Sequence, residues 1–238
     1  MGIWTELKLD RDRCRLAALV GGGGKTTTLY ALAHEAALAG RRVLVTTTTH
    51  IMPHPRLPLT DDPAALPGLL ARHPAVTLGR WDRPGKLAGA VPPEALPGLA
   101  DLVLAEADGA RLLPLKVPAD HEPVIPRNAD AVIAAAGLDC LGKPVAETCH
   151  RPERVEALLR VGPEHLITPG DVAEILASPE GGRKDVPPGA EFRCLLNKAD
   201  TPELRAAGEE IRALLAERGI YGAVHSYSER ERGGACWF

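Results

Sequence analysis

Apolar residues along this chain come in short runs, and the runs alternate with segments of helical spacing. Runs at 15–20, 42–46, 75–78, 101–106, 130–135, 191–196 and 220–225 predict strands. The segments 26–39, 153–160, 171–177 and 202–218 predict helices. In the last, Thr201 stands as cap and Pro202 at the first helical position. Leu204, Ala207, Ile211, Leu214 and Leu215 form one apolar face, and Gly219 ends it. Strands alternating with helices point to an α/β fold, a mostly parallel sheet covered by helices on both faces. Two stretches, 51–74 and 80–98, are rich in proline with charged and small residues interspersed. They are expected as loop-rich insertions with short helices crossing the sheet edge. No repeat and no boundary breaks the pattern, so residues 1–238 are expected as a single domain.

Composition narrows the function. At 238 residues the chain can bury a substantial core. Aromatics are only 3%, so that core must be aliphatic. A net charge of −3 and a pI near 6.2 give no reason to expect nucleic acid or an acidic membrane surface as partner. No apolar run approaches a membrane span, and Met1-Gly2-Ile3-Trp4-Thr5-Glu6 has no basic lead into an apolar segment. The cysteines, Cys14, Cys140, Cys149, Cys194 and Cys236, are scattered and odd in number, which fits a reducing cytoplasm. The charged stretch 229–232 is expected as a solvated tail.

The chemistry is carried by Val20-Gly21-Gly22-Gly23-Gly24-Lys25-Thr26-Thr27-Thr28. Bare glycine amides, a mobile ammonium and a hydroxyl suited to Mg²⁺, set between a strand and a helix, form an anion cradle where the helix dipole also favours negative charge. This is the context a P-loop requires, although Leu19 stands where the common form has its first glycine. Gly22, Gly23 and Gly24 are expected to offer amides to phosphates and Lys25 to bridge the β- and γ-phosphates. Thr26 is expected on Mg²⁺.

Other strand ends carry pointed residues, as ligand sites in open α/β sheets require. The run Thr46-Thr47-Thr48-Thr49-His50 puts hydroxyls near the phosphates. Thr48 is a candidate to complete Mg²⁺ coordination, and hydroxyls bonded to their own backbone are the alternative. Glu106-Ala107-Asp108-Gly109 ends a buried run where a Walker B carboxylate belongs, and Glu106 and Asp108 compete for that role. Leu195-Leu196-Asn197-Lys198-Ala199-Asp200 gives Asn-Lys-x-Asp after a strand. Asp200 can accept from guanine N1–H and its amino group, a donor pair that adenine lacks. Asn197 would tie this loop to the glycine loop, the Lys198 stem would cover the base, and His225-Ser226 would close the pocket. Lys116, His121-Glu122-Pro123 and His150-Arg151-Pro152-Glu153 are polar groups beside prolines, expected as a surface for substrate or partner near the γ-phosphate or as ordinary loops.

These motifs, in this order from Val20 to Asp200, resemble the selenium-dependent hydroxylase accessory family (YqeC-like), also called selenium cofactor biosynthesis proteins. The resemblance implies a P-loop nucleotide-binding fold and a part in maturing molybdenum hydroxylases, with a molybdenum hydroxylase or a selenium-delivery protein as partner. The combined expectation is a Mg²⁺-dependent nucleoside triphosphatase that binds GTP, or ATP. Hydrolysis is expected to be slow, with Lys25, Glu106 and Asp108 central and Arg111 the nearest arginine to the chemistry. Two rivals remain. The loop also resembles that of the peptidoglycan amide ligases, which points to an ATP-dependent ligase or kinase. A chaperone that holds nucleotide without turnover is the other.

Overall fold

A computed structural model describes residues 2–227 and 238. The expected tail at 229–232 and Cys236 lie outside the described residues. All seven expected strands form. They are β1 (Leu16–Gly21), β2 (Val43–Thr47), β4 (Ala75–Leu78), β5 (Leu102–Glu106), β6 (Ala131–Gly137), β7 (Glu191–Asn197) and β8 (Tyr221–Val224). A two-residue strand that the pattern does not predict, β3 (Leu59–Thr60), adds an edge. The sheet order is β8-β7-β6-β1-β5-β2-β4-β3. Every pairing in it is parallel, so "mostly parallel" understates the regularity.

Alternation along each strand divides two cores. Leu16, Ala18 and Val20 of β1 face one cluster with Leu44, Val103, Val132 and Ala134. Ala17 and Leu19 face the other with Val43, Val45, Leu104 and Ile133. Period two puts successive side chains on opposite sides, and each side is covered. Helix α1 (Lys25–Leu38) covers the second face with Leu29, Leu32, Ala33 and Ala36, and the short N-terminal helix Ile3–Glu6 packs beside it through Ile3 and Trp4. The first face receives α2 (Pro152–Leu159), α3 (Pro169–Ala177), α4 (Pro202–Glu217) and the short helix Leu66–Leu70. The start of α4 is capped by Thr201, whose hydroxyl accepts from the Leu204 amide at 3.2 Å. Its Ile211 and Leu215 are fully buried.

The second proline-rich stretch differs from expectation. Residues Arg80–Arg83 and Lys86–Ala88 form an antiparallel hairpin, which joins His50–Ile51 in a separate three-stranded sheet. All four residues of its first strand are exposed, so no hydrophobic alternation announces it. Among the described residues, no helix is long and apolar enough to cross a membrane.

Candidate functional site

The sheet is parallel, so the carboxyl ends of β1, β5, β6 and β7 meet at one edge. The glycine loop leaves β1 there and enters α1. Gly23 and Gly24 hold φ of +69° and +115°, conformations that side chains rarely adopt. A Cβ on Gly23 would strike the Gly137 backbone, and one on Gly24 would strike the Asn197 amide group. At these two positions glycine is dictated by the neighbours of the turn.

The amides of the loop are divided. Gly21 N–H donates to Asp108 Oδ2 at 2.9 Å. Gly22 donates to the Ala135 carbonyl at 2.9 Å and Gly23 to the Leu113 carbonyl at 3.1 Å. Gly24 caps α1 without any side-chain cap bond. The first-turn amides of Lys25 and Thr26 therefore retain donor capacity at the positive end of a 14-residue helix.

Lys25 is 5% exposed, and its ammonium is surrounded. Nζ donates to the Gly21 carbonyl at 2.5 Å and lies 3.1 Å from Asp108 Oδ1 and 3.7 Å from Glu106 Oε1. Burial alone would lower its pKa. Asp108 and Glu106 outweigh burial and hold it above the usual lysine value. Glu106 shifts in the same direction for a different reason: burial raises its pKa and outweighs Lys25 and the Thr26 hydroxyl, which lower it. The two carboxylates are thus unequal. Asp108 carries the close ion pair, and Glu106 accepts the Thr26 hydroxyl at 2.7 Å.

Behind Asp108 stands a second layer that reading charges as surface misses. Lys116 is 3% exposed and bridges Asp108 Oδ2 at 3.1 Å to Glu122 Oε2 at 2.8 Å. Arg151 grips both Glu122 oxygens, at 2.7 and 3.2 Å. Burial would raise Glu122, but the Lys116 and Arg151 bonds prevail and hold it at about 2. These residues form a buried network rather than a docking surface, because each charge finds its partner inside. Asp108 Oδ1 is buried and has the Lys25 ammonium as its ion-pair partner.

Two cavities open beside the glycine loop. One, of about 630 Å³, is lined by Gly23, Gly24, Lys25, Thr26, Thr27, Glu106 and Lys198, together with His50, Met52, Arg83, Lys86 and residues 109–113. The other, of about 370 Å³, is lined by Gly24, Thr27, Asp139, Asn197, Lys198, Asp200 and Tyr227. They share Gly24, Thr27 and Lys198. Asn197 Nδ2 donates to the Gly23 carbonyl at 2.8 Å, the tie between loops expected from the motif. Its Oδ1 is buried without a hydrogen-bond partner. Lys198 pairs with Asp139 at 2.7 Å, and Asp200 accepts from the Ser226 hydroxyl. His225 turns to Glu6 at 2.6 Å and packs edge-on against Tyr227. Asp139 and Tyr227 carry no sequence signal that singles them out.

The threonine hydroxyls at 46–48 bond to backbone carbonyls of neighbouring segments rather than to those of their own strand. Thr46 and Thr47 donate to the carbonyls of Leu78 and Glu106, and Thr48 to that of Val124 at 2.7 Å. Thr48 lies outside the lining of both cavities. His50 pairs with Asp82, and His54 packs against the Tyr30 ring.

A family model described as "YqeC protein" matches residues 17–153. The chain belongs to the YqeC family. The match takes in the glycine loop, both carboxylates and the Lys116–Glu122–Arg151 network, and ends before Asn197. "Uncharacterized protein YqeC" of Escherichia coli (strain K12) is 35% identical over 221 residues, covering 88% of this chain and 86% of its own length. No solved structure matches.

Proposed function

We propose that the protein binds a purine nucleoside triphosphate with Mg²⁺, guanine in preference to adenine, and hydrolyses it slowly. The observation that carries this reading is a pair of cavities that share lining residues. A phosphate-type wall (Lys25, Thr26 and the start of α1) and a base-type wall (Asn197, Lys198 and Asp200) share Gly24, Thr27 and Lys198.

The phosphates would lie on the amides of Gly24, Lys25 and Thr26, since those of Gly22 and Gly23 are already engaged. Lys25 would leave the Gly21 carbonyl for the β- and γ-phosphate oxygens. Asp108 keeps that ammonium charged and aimed, and Lys116 holds Asp108 in turn. Mg²⁺ fits the Thr26 hydroxyl and Glu106, which are bonded to one another and both line the cavity. When bound, the ion neutralises charge on the phosphate oxygens. Asp108 does not line that cavity, which favours Glu106 of the two competing carboxylates as the residue at the metal. Asp200 would accept from guanine N1–H and its amino group. Slow turnover fits chemistry that is mainly positioning and charge stabilisation. The family resemblance supports a role as an accessory factor in maturing selenium-dependent molybdenum hydroxylases, for which nucleotide-driven ordering of loops is a fitting device.

Calorimetric titration with GTP and ATP, with and without Mg²⁺, tests the reading. GTP should bind more tightly than ATP, need Mg²⁺ for full affinity, and fail to bind Lys25→Ala. Equal weak binding of both nucleotides rejects the guanine assignment. Product analysis separates free phosphate from a phosphorylated or ligated acceptor, or from no turnover.

A further inference from the structure

The larger cavity has a wall that the nucleotide reading leaves unused. Besides Lys25 and Thr26, the lining includes Arg83 and Lys86 from the small hairpin and Arg111 from the loop after β5. Among the described residues, none of these three cations has a carboxylate partner. Met52 and Leu112 line the same cavity and are large apolar side chains left 40% and 82% exposed. Leu112 and Arg111 both hold positive φ, 66° and 47°. That is an unusual backbone for such residues, and it is seen here where both line the cavity.

Unpaired cations beside exposed apolar side chains suit a ligand with an anionic head and an apolar body. Arginine and lysine together match a phosphate or carboxylate head, and the apolar pair matches a hydrocarbon or ring. We propose that this wall is a second-ligand site for a small organic anion of the organic-phosphate class, seated in the same cavity as the γ-phosphate position. Arg83 and Lys86 hold its head, and Met52 and Leu112 hold its body. The inference rests on the nucleotide reading for the position of the first ligand, but its own residues are separate from that reading.

The test is a titration of phenyl phosphate into protein saturated with a non-hydrolysable GTP analogue and Mg²⁺. Saturable binding is expected, tighter than that of inorganic phosphate. The double variant Arg83→Ala/Lys86→Ala should weaken it by about tenfold or more, while affinity for the analogue stays within about twofold. Leu112→Ala should weaken phenyl phosphate and leave inorganic phosphate unchanged. No saturable binding overturns the proposal. So does equal binding by the double variant, or a parallel loss of analogue affinity, which would give these cations to the triphosphate. If the analogue itself fails to bind, the nucleotide reading falls, and the titration is run on the free protein. There, loss in the double variant with retention in Lys25→Ala sustains the second-ligand site, and loss in Lys25→Ala alone overturns it.

Discussion

The phosphate end and the base end of the candidate site are built in opposite ways. At the phosphate end the functional groups belong to the core. Lys25, Glu106, Asp108, Lys116 and Glu122 are all under 10% exposed and touch one another in one chain of ion pairs. At the base end Asn197 and Tyr227 are buried, but the two charged groups are not. Lys198 meets Asp139 at a pair with about a third of each side chain exposed, and Asp200 is an exposed residue. A buried ion pair cannot lose one member without leaving the other as an uncompensated charge, whereas an exposed pair returns to water. Changes at the phosphate end should therefore alter fold and binding together, and changes at the base end should alter choice of nucleotide alone.

The strongest way to break this contrast is Lys25→Met. It should abolish measurable nucleotide binding and also lower unfolding free energy by about 3 kcal/mol or more, since Asp108 and Glu106 lose their common cation. Calorimetry and urea unfolding read the two effects. Full stability with binding lost would mean that Lys25 is a surface-like group and the contrast is false.

Lys116→Met comes next. Asp108 keeps Lys25 and Glu122 keeps Arg151, so the expected loss is smaller, about 2–3 kcal/mol in urea. Affinity for nucleotide should also fall, although Lys116 lines neither cavity, because Asp108 then loses its second support. Unchanged affinity would detach the second layer from function and leave it a purely structural network.

How far the sequence foretells this contrast depends on the kind of signal. The strands are legible because an aliphatic run buried on both faces leaves a pattern in consecutive residues, as in Leu102–Glu106. The glycine loop and Asn197 are legible because each motif is local. The Lys116–Glu122–Arg151 network is not. Arg151 lies 29 residues from Glu122, and Asp108 reaches Lys116 only because the chain doubles back. Charged residues beside prolines read as surface until their partners are in place. The hairpin at 80–88 stays hidden for another reason: its first strand buries nothing, and its pairing is all backbone. Tyr227 enters the base cavity from beyond the last strand, where one aromatic in a polar stretch carries no pattern.

Acid should sharpen the contrast from a different side. The Glu122 carboxyl sits at about 2 in the folded chain, against an ordinary value of 4.5. Between those values the unfolded chain binds the extra proton, so this contribution is complete above about pH 4.5 and disappears as pH falls toward 2. Glu122→Gln should flatten that part of the stability profile, as urea midpoints across this range would reveal. An unchanged slope would show that the network around Lys116 does not hold a charged Glu122.

The smallest effect on the fold and the most specific effect on function belong to Asp200→Asn. Asp200 is exposed, and its contact to Ser226 is replaceable by an amide, so unfolding should move by less than about 0.5 kcal/mol. Guanine presents two donors, and a carboxylate accepts both, while an amide offers one acceptor and one donor group. The variant should therefore lose GTP affinity by about ten- to a hundredfold, the cost of charge-assisted bonds turned to a mismatch. Xanthine presents a carbonyl where guanine has its amino group, and the new amide can donate to it, so XTP should gain where GTP loses. ATP offers neither pattern and should stay nearly constant, which makes it the internal control. If GTP and ATP fall in step, Asp200 acts on the loop as a whole rather than on the base. The base end would then be a support for Asn197 and the glycine loop, and its contrast with the phosphate end would vanish.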